Sequence, residues 1–493
     1  MDLSPTESLR YFLPELVLVA GILALFVGDL FVRRKELLGE WVALLGLAAS
    51  LLATSRLAGA PDAWLFNRMV VNDQFAVFFK VVFALAAIVT VWMSLGSREI
   101  EHVNQGEYYG LLLSSTLGMY VMASASNLLM AYLSLEFVSL TSYVLTGTLR
   151  HNRRSGEASL KYLIYGGVAS GTMVYGLSWI FGLTGSMDYA AINHALFQGH
   201  PNTLALFIAS VLVLTGFGFK ITAVPFHMWA PDVYTGAPIP VTAFLSVASK
   251  AAGFALLMRF FYPALSRLGA SGTWEFLAGV DWPQLVLVLS MVTMTLGNFA
   301  ALQQTNLKRL LAYSSIAHAG YILMGFVVLS DDGLRAMLFY LVTYYLMNMG
   351  AFLAVMIVAN STGREDIEGL RGLAWRGGAV PAVAMAVFLF SLAGIPPLAG
   401  FIGKFYLFAA VIQQKFYLLA LVGVLNSVLS LYYYARIVRT MFLDFPAGGE
   451  GTVAVDMSNG ILLWLLTGCT IVLGVYWAPV IDLANRSVRF IMG

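Results

Sequence analysis

Apolar runs of about twenty residues recur along the whole chain, divided by short polar breaks. Wound as helix, a run of that length matches the thickness of a bilayer core. The pattern predicts fourteen spans, beginning near residues 12, 40, 73, 107, 127, 159, 202, 239, 283, 307, 333, 379, 416 and 459. No polar stretch between them is long enough to fold by itself. The expectation is one all-α integral membrane domain over residues 1–493. Its first run, 12–32, is too long for a cleavable signal peptide and lacks an obvious small-residue cleavage site. The segment 186-SMDYAAINHALFQGH-200 reads as a short helix lying in the interface, with Ser186 as its N-cap.

Composition agrees with a lipid environment. The chain is 59% hydrophobic and 11% charged, with a mean hydropathy of +0.81, whereas soluble domains run near 25% charged. A single cysteine, Cys469, excludes a disulfide framework and any iron–sulfur cluster ligated by this chain alone. No metal constellation is expected from six scattered histidines. No serine or cysteine nucleophile has a base at recognisable spacing. The net charge of +2 gives no reason to expect nucleic acid as a partner. Lys and Arg are more numerous after odd-numbered spans, from Arg33 and Arg34 through Arg439, than on the side that holds Arg10, Arg259 and Arg489. The positive-inside rule then puts both termini outside, periplasmic in a bacterium.

Two segments break the apolar pattern in the same way. The stretches 216-GFGFK-220 and 400-GFIGK-404 both read Gly-Phe-x-x-Lys. Pro225 follows the first, and Pro396 and Pro397 precede the second. They fall in spans 7 and 12, an odd number of spans apart, so they enter the membrane in opposite directions. This suggests two inverted five-helix repeats, spans 4–8 (residues 107–262) and 9–13 (residues 283–443). Broken helices at matching positions mark ion sites in transporters built this way. Proline removes a backbone donor and leaves a carbonyl unpaired, which lipid tolerates only beside water, protein or a polar side chain.

Charges inside the spans sharpen the picture. Glu136, Lys220, Lys250 and Lys404 fall within apolar runs and would cost on the order of 10–14 kcal/mol before pairing. Three lysines cannot all pair with one glutamate, so a static ion pair leaves lysines over. Burial disfavours the charged amine and a nearby carboxylate favours it, so such a lysine can load and release a proton as its partner moves. His318, near the middle of span 10, is a candidate relay or a core histidine. His227 follows Pro225 and reads as shaping the loop. Lys80 reads as snorkelling to the interface, Lys308 and Arg309 as topology anchors, and 344-YY-345 and 432-YYY-434 as packing residues.

Three stretches carry a resemblance: 225-PFHMWAPDVYTGAPIPVTAFLSVASKAAGFA-255, 306-NLKRLLAYSSIAHAGY-321 and 393-AGIPPLAGFIGKF-405. Over nearly its whole length the chain resembles the antiporter-like membrane subunits of respiratory complex I (NADH-quinone oxidoreductase), and within them the N branch. Lys404 separates it from the M branch, where a glutamate stands at that position. The L branch carries a long C-terminal lateral helix, which this chain lacks. The resemblance implies fourteen helices with the inverted repeat, and proton translocation coupled to quinone reduction in other subunits. It implies that Glu136 pairs with Lys220, that Lys250 leads protons on, that His318 belongs to the hydrated axis and that Lys404 is the distal relay. It also implies a hetero-oligomer in a bacterial inner membrane, with no cofactor bound here. NAD, flavin, iron–sulfur clusters and quinone would sit in partner subunits. A subunit of a Mrp-type sodium/proton antiporter, a purely structural subunit and a stand-alone solute transporter are the competing readings.

Overall fold

The computed structural model describes residues 1–31, 35–199, 201–269, 274–277, 279–445 and 452–488. Arg33, Arg34 and Arg489, used above for orientation, lie outside them. The long helices are α1 (Leu13–Phe31), α2 (Lys35–Arg56), α3 (Gln74–Leu95), α4 (Gln105–Ser124), α5 (Leu128–Thr146), α6 (Arg153–Thr184), α7 (Thr203–Ile221), α8 (Ile239–Leu265), α9 (Trp282–Leu302), α10 (Leu307–Val327), α11 (Asp331–Thr362), α12 (Ala379–Ala393), α13 (Ala399–Gln413), α14 (Tyr417–Phe442) and α15 (Met457–Val475). Among the described residues, ten helices are long and apolar enough to cross a membrane, or eleven if one bent pair counts as a span. The chain is thus a mostly helical, multi-pass membrane protein. Each expected span start lies at or near the start of a long helix; the largest difference is α6, which begins at Arg153.

The short polar breaks supply the caps that start the helices. Asp73, Asn127, Asn152, Asn202, Asn306 and Ser330 each accept a hydrogen bond from the first turn of the helix that follows. Such side chains satisfy donors that have no partner within the helix. The interfacial segment is a helix over Tyr189–Gln198, but its cap is Asp188 rather than Ser186. The aspartate Oδ1 accepts from Ala191 N at 2.9 Å, and Ser186 Oγ instead accepts from Asp188 N.

Two antiparallel hairpins, Ala63–Leu65 with Val70–Asn72 and Ser266–Leu268 with Trp274–Phe276, lie at one end of the bundle. Met1 is held there too, since Trp64 N donates to its carbonyl. Helix α8 is buried along its whole length, and α10 and α11 nearly so. These three form the centre, while α1, α9 and α14 present apolar side chains outward.

Three charges read as peripheral are in fact interior. Lys80 does not snorkel: its Nζ lies 2.7 Å from Glu15 Oε1, with both side chains essentially inaccessible. Arg259 is not a surface charge: its Nη2 donates to Asp73 Oδ1 at 2.7 Å and its Nε to Ala123 O at 3.1 Å. Lys308 is buried as well. Spacing places a residue along a helix, but only the neighbouring helices decide whether its head group can reach water.

Candidate functional site

Both expected breaks are present, and each ends at a lysine's neighbourhood. Helix α7 stops at Ile221, one residue beyond Lys220, and Thr222 takes a left-handed conformation at φ +62°. Pro225 follows, and the chain resumes as a short helix over Trp229–Gly236. The carbonyl of Phe219 is not left bare, because the Trp229 indole donates to it at 3.1 Å. At the second break, α12 ends at Ala393, and Gly394 adopts φ +91°, which side chains with a Cβ rarely take. Gly400 is equally constrained, since a Cβ there would meet Ser391 O at 1.9 Å.

Lys404 sits in this second break. Its Nζ donates to Ala393 O at 3.0 Å and to Ser427 Oγ at 3.1 Å. It thereby caps the C-terminal carbonyls of α12, where the helix dipole favours a cation. The ammonium also lies 4.5 Å from the centre of the Tyr321 ring.

Lys220 is buried and donates to Ser139 Oγ at 3.2 Å. The direct Glu136–Lys220 pair implied by the resemblance is not closed in this structure. The serine stands one turn beyond Glu136 on α5, so the lysine rests beside the carboxylate without pairing with it. Glu136 is half-buried, and its Oε1 is enclosed with no hydrogen-bond partner. The stem of Lys220 lies against α8 at Gly253, where a Cβ would stand 3.1 Å from Lys220 Cγ.

One turn before Gly253 on α8 is Lys250. Five residues ahead of it, Leu245–Ser249, form a π-helical turn, an irregularity common at functional positions. Lys250 Nζ donates to Ser315 O at 2.8 Å and also to Ser315 Oγ. Ser315 lies on α10, one turn before His318. His318 Nδ1 is 2.7 Å from Tyr340 OH, and its Nε2 is 3.3 Å from Tyr434 OH. Tyr434 also bonds Ser314 Oγ at 2.5 Å. The His318 ring packs 5.7 Å from that of Tyr321, whose hydroxyl meets Ser427 Oγ at 3.3 Å. Ser427 completes the line to Lys404.

The five candidate residues therefore follow one another in a line across the bundle: Glu136, Lys220, Lys250, His318, Lys404. It crosses α5, α7, α8, α10 and α13, and among the described residues no lysine on it has a carboxylate within ion-pair distance. Hydroxyls and carbonyls hold the amines instead. The sequence already sets Ser314, Ser315 and Tyr321 near His318, but it did not single out the hydroxyls of Ser139, Ser427, Tyr340 and Tyr434. Tyr340 and Tyr344 stand four residues apart on the face of α11 turned to His318, a helical spacing that could have singled them out. Tyr432 is exposed, so the tyrosine runs mix residues that face His318 with outward ones. His227 is buried just after Pro225, with no partner on Nδ1. Among the described residues no cluster of His, Cys, Asp and Glu could hold a metal ion.

Comparison with known proteins identifies the family. The model of the family described as "NADH:quinone oxidoreductase/Mrp antiporter, TM" matches residues 125–430. The chain is 47% identical to NADH-quinone oxidoreductase subunit N of Anaeromyxobacter sp. (strain Fw109-5), covering 99% of this chain and 98% of the relative. It is 49% identical to NADH-quinone oxidoreductase subunit N 2 of Sorangium cellulosum, covering 99% of each. Among solved structures, it superposes on a chain of respiratory complex I from Thermus thermophilus with bound aureothin at a TM-score of 0.80, with 30% identity and 96% and 99% coverage. A chain of the Mrp complex from Dietzia sp. DQ12-45-1b matches at a TM-score of 0.84 but only 20% identity, which shows a shared fold alone. The chain belongs to the subunit N family of NADH-quinone oxidoreductase, within the wider NADH:quinone oxidoreductase/Mrp antiporter membrane proteins.

Proposed function

We propose that the chain carries protons along the line Glu136, Lys220, Lys250, His318 and Lys404 while quinone is reduced elsewhere in the complex. As a subunit N family member it is a proton-translocating membrane subunit of a translocase, working in a hetero-oligomer with other membrane subunits. The single observation that carries the residue-level reading is the set of buried lysines held by hydroxyls and carbonyls rather than carboxylates. A buried ammonium without a counter-ion is costly, so each amine gains by releasing its proton when its surroundings change. Closing Glu136 onto Lys220 would stabilise the charged form, and opening the pair would drive the proton toward Lys250.

The rest of the reading follows from the family. The chain crosses the membrane fourteen times as two inverted repeats, residues 107–262 and 283–443, with both termini on the periplasmic side. NAD, flavin, iron–sulfur clusters and quinone sit in partner subunits. The Gly-Phe-x-x-Lys pair at the two breaks supports the repeat. Identity of 47–49% to subunit N proteins favours this role over sodium/proton exchange.

Lys220→Met in native membranes tests the reading, with assembly checked on a native gel. Donor oxidation and proton uptake into sealed vesicles are recorded together. An assembled complex in which both collapse supports Lys220 as a coupled proton carrier. An assembled complex that oxidises and pumps like wild type overturns it.

A further inference from the structure

Lys308 opens α10 at the end of the bundle opposite Met1. It is buried, and it donates to Ala237 O at 2.8 Å and to Glu365 Oε1 at 3.1 Å. Ala237 lies in the connection that leads into α8. A second carboxylate meets the same place from the α3–α4 connection: Glu99 Oε2 accepts from Ile239 N, the first residue of α8, at 2.8 Å. Three segments distant in sequence thus converge on the N-terminus of the helix that carries Lys250. An open cleft of about 570 Å³ reaches them, lined by Arg98, Glu99, Arg154, Ile239, Lys308 and Glu365 among others.

Helix α10 links the cleft to the partner of Lys250. Lys308 and Ser315 are seven residues apart on α10, two turns, so they share a face about 10 Å apart along the axis. Ser315 holds the Lys250 ammonium. Beside it stand two buried hydroxyls with hydrogen-bonding capacity to spare, Tyr234 OH and Tyr344 OH, and one turn after Tyr344 on α11 comes Asn348, whose Oδ1 is buried without a partner. Asn348 donates in turn to Ser246 in the π turn at 2.7 Å.

A simple latch between loops is the plainer reading of the ion pair, but backbone bonds already supply that latch. Leu307 N donates to Glu365 O at 2.7 Å and Ile367 N to Thr305 O at 2.9 Å. Nor does a latch require Glu99, which comes from a third connection. Burial holds the Glu99 carboxyl above the ordinary carboxylate range, against the opposing pull of Lys308 and the Ile239 amide, which suits an acid that accepts and returns protons.

We propose that Glu99 and Glu365, positioned by Lys308, form the mouth through which protons reach Lys250 from the aqueous cleft. The inference rests on the proton-carrying reading above and adds the place of uptake. Glu99 and Glu365 exchange protons with the cleft. Lys308 is a positioning residue whose charge holds the two acids on the axis.

The test uses the assembled complex in native membrane vesicles. Lys308→Met, Lys308→Arg, Glu99→Gln and Lys250→Met are compared by protons taken up per donor oxidised, with assembly read on a native gel. Lys308→Met and Glu99→Gln are expected to lower that ratio severalfold, while Lys308→Arg, which keeps the charge, stays near wild type. If Lys308→Met does not assemble, Glu99→Gln decides, since a glutamine carbonyl can still accept from Ile239 N. The mouth is overturned if Glu99→Gln, and Lys308→Met where it assembles, pump like wild type while Lys250→Met does not. If Lys250→Met also pumps normally, the proton-carrying reading itself fails and the mouth falls with it.

Discussion

Buried charge is handled in two ways within one molecule. Near one end of the bundle, Lys80 meets Glu15 at 2.7 Å and Arg259 of α8 grips Asp73 with two nitrogens. Along the central line, Lys220, Lys250 and Lys404 rest on serine hydroxyls and backbone carbonyls. Both sets are equally hidden from solvent. The difference lies in what happens if a proton leaves. Removing one from Lys80 strands the Glu15 charge in an apolar setting, so the pair holds both charges in place. Removing one from Lys250 or Lys404 strands nothing, because their partners are neutral. Depth alone therefore does not separate the two sets; the absence of a fixed counter-ion does.

The largest expected effect tests the paired side. Lys80→Met leaves Glu15 buried without its partner and should destabilise the chain by about 3–5 kcal/mol, read as loss of this chain from the assembled complex. Replacing both partners by leucine should restore most of that loss, because apolar pairs of similar volume substitute well for buried ions. Should the double variant assemble no better than Lys80→Met, the pair does more than neutralise itself.

Lys404→Met approaches the comparison from the other side. It removes no counter-ion, so the complex should assemble near wild-type levels while protons per electron fall severalfold. Were it to lose as much assembled complex as Lys80→Met, the distinction between the two sets would collapse. Gly253→Ala is subtler. The added methyl would press on Ile221 Cγ2 at 2.9 Å and Lys220 Cγ at 3.1 Å, shifting the amine from Ser139. Pumping should slow while donor oxidation in uncoupled membranes stays intact, as measured by the two rates side by side. The smallest change is Tyr434→Phe. It deprives His318 and Ser314 of a hydroxyl, costing about 1 kcal/mol of stability, and should slow proton uptake modestly in a stopped-flow pH assay.

Much of this was readable residue by residue. The apolar runs announced the helices, and the polar caps between them are where hydrogen-bond chemistry requires them. Glu136, Lys220, Lys250 and Lys404 stood out because a charge in an apolar run is expensive wherever it faces. Lys80 and Lys308 were misread for a shared reason: both lie near helix ends, where a long side chain can turn outward to water or inward to a partner. Glu15 and Glu365, which settle the matter, are remote in sequence. Tyr340 and Tyr434 were hidden in the same way, since a tyrosine in an apolar helix packs or relays according to what its hydroxyl meets.

The amino-acid sequence by itself determined that this chain lies in a membrane, that two of its helices break beside a lysine, and which charges must be explained. Periodicity and the cost of burying charge are local properties, so they survive without coordinates. Only the tertiary structure decided which of those charges are neutralised. An ion pair or a relay is a contact between helices far apart in sequence, and its geometry is set by how α3, α8, α10 and α11 pack around one another.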